Sequence, residues 1–183
     1  MEELLIELTR RYSEPHRRYH DLRHVADMLL KGRDFPLSDE QIMAIWFHDA
    51  VYDPRSKTNE ADSAVLAVTR LNQLGWESAR VKVVEQIVLD TCGHVPSIDA
   101  SKPVLDLDLS TLAGTWEQYA QNGANIRFEY SAAPEAEWNA GRGKWLESML
   151  AKKRLYWTAW GAPLESQARA NLERDLRQLR SVT

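Results

Sequence analysis

The chain contains a His-Asp pair, His48 and Asp49, in an apolar segment where the two side chains can do metal chemistry. Ile42, Ile45 and Trp46 precede the pair at helical spacing. A helix over this segment would turn the Asp49 carboxylate onto the apolar stripe. A buried ionised carboxylate must protonate, pair with a cation or coordinate a metal. Metal coordination by Asp49, with His48 from the same turn, is the simplest interpretation.

A second acidic candidate lies in the segment LDLDL. On a helical wheel Asp108 falls between Val104, Leu105 and Leu112, whereas Asp106 points elsewhere. We therefore predict Asp108 as a ligand and keep Asp106 as the alternative. Pairing of Asp108 with a buried arginine is the other interpretation.

Two histidines and an aspartate upstream extend this set. His20 and His24 are four residues apart, so a helix would place them on one face together with Asp27. The opposite face would carry the apolar residues Leu22, Val25, Ala26 and Leu29. This polar face is either solvated or lines a cleft in which imidazoles bind a metal or phosphate. The later His-Asp pair favours the cleft.

Motifs along most of the chain resemble those of a known superfamily. YHDLRH, WFHDAVYD and LDLDLSTL, in that order, resemble the HD-domain metal-dependent phosphohydrolases. NEADSA, TCGH, IRFEY, AGRGKWLESML and ESQARANL resemble the small bacterial HD-type family of predicted phosphohydrolases, from about residue 17 to residue 176. Leu107 departs from the family's usual LDADL without changing an acid. The resemblance implies that the metal ligands are His24, His48, Asp49 and Asp108.

The resemblance also implies a fold and an activity. We expect an all-α protein, with residues 1–183 forming one compact HD-domain-like helical bundle. The expected activity is hydrolysis of a phosphoester of a small metabolite or nucleotide, by water activated at a divalent metal ion. The mixed nitrogen and oxygen ligands suit manganese, iron, cobalt, nickel or magnesium. Asp49 is the candidate catalytic residue, because it can also accept a proton from the attacking water.

Two other functions are compatible with these residues. The chain can be a non-catalytic module that binds or senses a nucleotide or phosphate through the same metal-dependent pocket. It can also be a purely structural helical protein in which the His and Asp residues form buried polar pairs.

Further polar residues are candidates for binding the phosphorylated substrate, and each has an ordinary structural alternative. Asn59 can cap a helix and Glu60 can stabilise its amino terminus. Arg127 can pair with Glu129 on a helix surface. The Gly-flanked AGRGK segment can be a flexible helix break, and the histidine of TCGH can cap carbonyls or, with His20, support a second metal. The full candidate set is His20, Asn59, Glu60, His94, Arg127, Arg142 and Lys144.

Helices must position all of these residues, and helical periodicity recurs along the chain. The segment VKVVEQIVL is rich in β-branched residues, but its apolar residues follow helical spacing, so we predict a helix there too. We expect the tryptophans mainly in the core. The predicted helices are residues 2–12, 19–31, 38–52, 58–74, 77–91, 103–113, 115–131, 134–151 and 163–180.

Composition limits the classes of partner. The 183 residues carry a net charge of −4 and are 44% hydrophobic, as an ordinary globular protein is. This charge argues against strong binding to nucleic acid and favours a small phosphorylated ligand. The lone Cys92 suits a reducing compartment, and no segment is typical of a leader or a membrane span. We therefore expect a cytoplasmic protein with no membrane contact, and its oligomeric state stays open.

Overall fold

A computed structural model describes residues 1–34 and 36–182, and the described residues form helices and no strand. The all-α prediction is confirmed, including the helix over VKVVEQIVL. The predicted capping box of Ser38 and Gln41 begins the third helix. The helices are α1 (Glu2–Tyr12), α2 (Leu22–Lys31), α3 (Asp39–Phe47), α4 (Asn59–Gln73), α5 (Ser78–Thr91), α6 (Ser101–Asp108), α7 (Trp116–Glu129), α8 (Glu135–Ala151) and α9 (Glu165–Val182). None of the described helices is both long enough and apolar enough to cross a membrane.

The helix that carries His24 is shorter than predicted. α2 begins after Asp21, whose carboxylate accepts a backbone N–H of the first turn at 2.8 Å and so ends the segment before it. His20 therefore precedes the helix, and the prediction that His20 and His24 share one helix face was wrong. Ala26 is exposed and Met28 is fully buried, so the inner face also differs from the predicted apolar stripe.

The third helix also ends earlier than predicted. α3 stops at Phe47, and His48 is its C-cap. Asp49 follows in a turn, where the hydroxyl of Tyr12 accepts its backbone N–H at 3.2 Å. The guanidinium of Arg17 donates to the Asp49 carbonyl at 2.7 Å. The prediction that Asp49 lies within the helix was wrong, because side chains from other elements satisfy the backbone groups of this turn.

Two hydrophobic clusters form the core, and α6 with its continuation joins them. The larger cluster contains Leu107, and the smaller one contains Leu109. Asp108, between these two leucines, therefore lies where the clusters meet. The larger cluster also includes Leu8, Val25, Phe47, Leu71 and Ile87, and the smaller one includes Tyr119, Leu146, Leu155 and Leu172.

α8 runs without interruption through the AGRGK segment, so the predicted helix break there was wrong. Core packing of the tryptophans is confirmed for most of those near a cluster. Trp138 of α8 differs, because its ring lies 5.5 Å from that of Tyr130 and lines a cleft. The tryptophans packed against the two clusters are Trp46, Trp76, Trp116, Trp145 and Trp160.

Candidate metal centre

The structure brings the four predicted ligands together from separate parts of the chain. His24, His48 and Asp49 offer ligand atoms that all lie within 4.8 Å of one another, so this group can hold a metal ion. Asp108 adjoins it, with its Oδ1 3.0 Å from His24 Nε2 and 3.9 Å from His48 Nε2. His48 Nε2 is also 3.0 Å from Asp49 Oδ2.

The two histidines have buried nitrogen atoms without hydrogen-bond partners. These atoms are Nδ1 of His24 and Nε2 of His48. His48 Nδ1 lies 2.8 Å from the carbonyl of Ile45, so it carries the proton and leaves a lone pair on Nε2. Although His48 Nε2 is close to the Asp49 carboxylate, the two lack the geometry of a hydrogen bond. Buried nitrogens that lack a partner are costly, and a cation at the cluster would satisfy them.

The electrostatics of the cluster favour positive charge. Burial alone would raise the pKa of Asp49, but the charges of His48 and His20 hold it far below its usual value. Burial also opposes ionisation of Asp108, yet hydrogen bonds from His24 and His94 keep its pKa well below the ordinary value. Burial would lower the pKa of His48, whereas the charge of Asp49 raises it to about 9. The two ionised carboxylates therefore attract a proton or a metal cation to the same place.

His94 joins the cluster from the loop after α5. Its Nε2 lies 3.0 Å from Asp108 Oδ2. The backbone of His94 has a φ of 49°, a left-handed conformation that is uncommon for a residue other than glycine. In the described part of the chain its ring contacts a carboxylate and no carbonyl, so the helix-capping alternative was wrong.

Asp106, the alternative ligand, lies outside the cluster. Its carboxylate is fully buried and accepts the backbone N–H groups of Trp157 and Thr158 at 2.7 and 2.8 Å. The hydroxyl of Thr158 donates to it at 2.6 Å. Asp106 therefore holds the loop between α8 and α9, and Asp108 is the acid that faces the histidines.

A buried glutamate that sequence analysis did not single out positions His20. Oε1 of Glu129 accepts the backbone N–H groups of Arg18, Tyr19 and His20 at 2.7, 2.7 and 3.0 Å. Its Oε2 lies 2.6 Å from His20 Nδ1 and accepts the Tyr52 hydroxyl at 2.8 Å. The IRFEY motif contains this residue, but its partners lie about a hundred residues away along the chain.

His20 lies in the cleft beside the cluster, with its ring 4.4 Å from that of Tyr52 and 6.4 Å from that of His24. Burial alone would lower its pKa. The charge of Asp49 and the hydrogen bond to Glu129 outweigh burial, so the pKa of His20 is raised. Because Glu129 engages Nδ1, the other ring nitrogen, Nε2, is left for a ligand.

A cleft of about 1260 Å³ opens over the cluster. Lys144 is exposed and, like Arg127, does not line it. The His24 ring is buried behind the lining. The predicted site residues that line the cleft are His20, His48, Asp49, Asn59, Glu60, His94, Asp108 and Arg142.

Asn59 closes the loop that precedes α4. Its amide donates to the Asp53 carbonyl at 2.9 Å and accepts the Asp53 N–H at 3.0 Å. Thr58 is the N-cap residue, so the prediction that Asn59 caps this helix was wrong. Glu60 lies in the first turn of α4 and faces the cleft beside Cys92.

The two arginine candidates already have partners. Arg127 donates to the carbonyls of Tyr130 and Ala133 at 2.7 and 3.2 Å, and the described residues show no ion pair between it and Glu129. The interpretation as a surface pair was therefore wrong. Arg142 donates to the Asp175 carboxylate at 2.7 Å. These contacts leave neither guanidinium as an unpaired phosphate ligand.

The chain matches no family model, and comparisons with curated proteins and with solved structures gave no match. Its relation to the HD superfamily accordingly stays a prediction from the motifs. The geometry by itself defines a group of histidines and aspartates that can hold a metal ion at the base of a large cleft.

Proposed function

We propose that this protein is a metal-dependent phosphohydrolase that cleaves a phosphoester of a small molecule. The observation that carries the proposal is the position of the His24, His48, Asp49 and Asp108 cluster, whose side chains open onto a cleft much larger than a metal ion needs. A structural metal site would be closed by its own ligands. An open site next to a ligand-sized cavity instead supports catalysis.

The same four residues would hold the metal ion. Two imidazoles and two carboxylates suit manganese, iron, cobalt, nickel or magnesium, and the unpartnered nitrogens of His24 and His48 fit such an ion. A bound divalent cation would polarise a phosphoryl oxygen and lower the pKa of a coordinated water.

The chain's own residues would move the protons. We assign Asp49 as the acceptor of a proton from the attacking water, since its depressed pKa keeps it ionised. His20 would donate the proton on Nε2 to the oxygen of the departing group as the bond between that oxygen and phosphorus breaks. Glu129 would hold His20 for this role through the contact of 2.6 Å at Nδ1. Tyr52 would fix the glutamate from its other side.

The test is phosphate release from a panel of phosphomonoesters and phosphodiesters with Mn²⁺, Fe²⁺, Co²⁺, Ni²⁺ or Mg²⁺ supplied in turn. We expect release that requires a metal and that falls at least about 100-fold in Asp49→Asn, the range for loss of a proton acceptor. The metal content of each sample is measured alongside. Asp49→Asn protein that keeps its metal and the wild-type rate would exclude the role of Asp49.

The panel also tests the alternative of a binding module. Wild-type protein that is loaded with metal and binds inorganic phosphate, yet releases no phosphate from any ester, would contradict the proposed hydrolase. That result would support metal-dependent binding without turnover.

A further inference from the structure

The cleft extends beyond the metal cluster along one face of α7. Tyr119, Asn122 and Ile126 line it, followed by Glu129, which holds His20. These positions are three or four residues apart and therefore share one helix face. At 1.5 Å per residue, the lined face runs about 15 Å from Glu129 to Tyr119. The cleft thus has a long arm that starts beside the metal cluster.

α8 forms the opposite wall of this arm. Trp138, Arg142 and Trp145 line the cleft at helical spacing. The two helices run antiparallel, because the Trp138 ring meets that of Tyr130 after the end of α7, while Arg142 Nη2 lies 3.0 Å from the hydroxyl of Tyr119 near its start. We call the space between them, lined by these residues with Asn122, Gly123, Ile126 and Gly141, the α7–α8 groove.

Two glycines keep the groove open. Gly123 and Gly141 face each other's helices across the cleft, and a Cβ atom built on either one meets no atom within 4 Å. Glycine in the middle of a helix is unfavourable relative to alanine. Close packing does not require these glycines, since the space beside them is empty. The missing side chains instead widen the groove.

The chemistry of the groove is aromatic and nearly neutral. Trp138 and Trp145 offer indole rings, and the guanidinium of Arg142 lies 4.5 Å from the centre of the Trp145 ring. Asp175 neutralises Arg142 at 2.7 Å, so the far end of the groove is a flat surface rather than a phosphate site. Among the described residues, the half-buried amide of Asn122 makes no hydrogen bond and is left for a ligand.

We propose that the α7–α8 groove binds a flat aromatic ring in the organic part of the substrate while the phosphate faces the metal cluster. This inference rests on the proposed hydrolase function. Three features support it. The groove and the cluster share one cavity of about 1260 Å³, which is far more than a phosphate ion fills. Indole rings stack on flat rings regardless of their identity. The free amide of Asn122 can bond the edge of a heterocycle.

The first experiment compares esters that differ only in the ring. AMP and ribose 5-phosphate have the same departing alcohol group, and benzyl phosphate and ethyl phosphate form a second pair. We expect metal-loaded wild-type protein to favour the ester with the ring in at least one pair by about tenfold or more in kcat/KM, as stacking contributes in comparable sites. Preference in the AMP pair indicates a nucleobase, and preference in the benzyl pair alone indicates a simple aryl group.

Variants then locate the preference. Gly141→Leu and Gly123→Leu place a side chain in the groove from opposite walls, and leucine favours a helix more than glycine does. We expect either variant to lower kcat/KM about tenfold for the ester with the ring and to leave its partner ester unchanged. Ala140→Leu adds leucine to the exposed side of α8, outside the cleft, and should change neither value.

A binding measurement separates this inference from the proposed function. Adenosine and benzyl alcohol carry no phosphate, so quenching of tryptophan fluorescence by either compound reports the groove without turnover. Loss of quenching in both glycine variants, but not in Ala140→Leu, supports the groove even if no ester is hydrolysed. If esters are hydrolysed without preference for a ring, and neither compound binds, the groove proposal is overturned while the hydrolase proposal stands.

Discussion

Replacement of Glu129 by glutamine tests how His20 is held. The carboxylate accepts three backbone N–H groups on one oxygen, and the other oxygen faces His20 Nδ1 and the Tyr52 hydroxyl. Glutamine has the same shape but only one oxygen. That oxygen will stay with the three N–H groups, so the new NH₂ group will face His20 and Tyr52. The contact that keeps a proton on His20 Nδ1 is then lost.

The structure sets the size of two effects. The Glu129 side chain is 0% exposed, so its hydrogen bonds are not weakened by solvent. Losing charge-assisted hydrogen bonds of about 1.5–3 kcal/mol each should lower the free energy of unfolding by about 3 kcal/mol. For a chain of this size, that lowers Tm by about 6–12 °C. Loss of an oriented proton donor should slow hydrolysis of an alkyl phosphate by about 100-fold.

The assay separates the two effects. Thermal unfolding gives the change in Tm, and kcat is measured with ribose 5-phosphate and with 4-nitrophenyl phosphate. Nitrophenolate departs with little need of a proton, so we expect a much smaller loss of rate for that ester. Glu165→Gln is the matched control, because Glu165 accepts the backbone N–H groups of Leu155 and Tyr156 and lies outside the cleft. It should lower Tm without separating the two esters.

Two results would refute this reasoning. Equal loss of rate on both esters in Glu129→Gln would mean that the glutamate does not act through a proton on His20. An unchanged Tm would mean that its five hydrogen-bond contacts contribute nothing to folding.

Further predictions concern the frame around the cluster. Asp106→Ala leaves three buried donors unpaired and should cost about 3–5 kcal/mol by unfolding in urea, with the metal content per folded protein unchanged. Gly161→Ala should lower Tm, because a Cβ there would collide with the Asp106 carboxylate. Arg17→Met removes donors to the carbonyls of the turn that carries Asp49, so metal affinity measured by titration should fall about 10–100-fold. Burial would raise the Glu129 pKa, but the hydrogen bond from His20 lowers it from 4.5 to about 2; its stabilising contribution is complete above pH 4.5 and is lost toward pH 2, so acid unfolding should be less steep in Glu129→Gln.

Local sequence patterns predicted the helices well, because apolar periodicity reflects which face a helix buries. The same patterns failed at the ends of α2 and α3. The side chain of Asp21 ends the segment before α2, and Tyr12 and Arg17 hold the turn after α3. Contacts between distant elements decided these boundaries, and no local pattern encodes them.

The candidate site was predictable to a similar depth. Helical spacing favoured Asp108 over Asp106, and Asp108 is the acid that lies beside the histidines. Glu129 was missed as part of the site, since its importance comes from partners more than a hundred residues away. The arginine candidates were chosen for their charge, but charge alone does not reveal that Arg142 is already paired with Asp175.

Metal content is the most direct test of the central claim that these histidines and aspartates bind a catalytic metal. Wild-type, His48→Ala and His16→Ala proteins are reconstituted with Mn²⁺, passed through a desalting column and measured by elemental analysis. His16 lines the cleft but bonds the carbonyl of Tyr52, outside the cluster, and so serves as the control. We expect bound metal in the wild type and in His16→Ala, and little in His48→Ala. Metal-free wild-type protein under these conditions, and with each of the other candidate ions, would contradict the account.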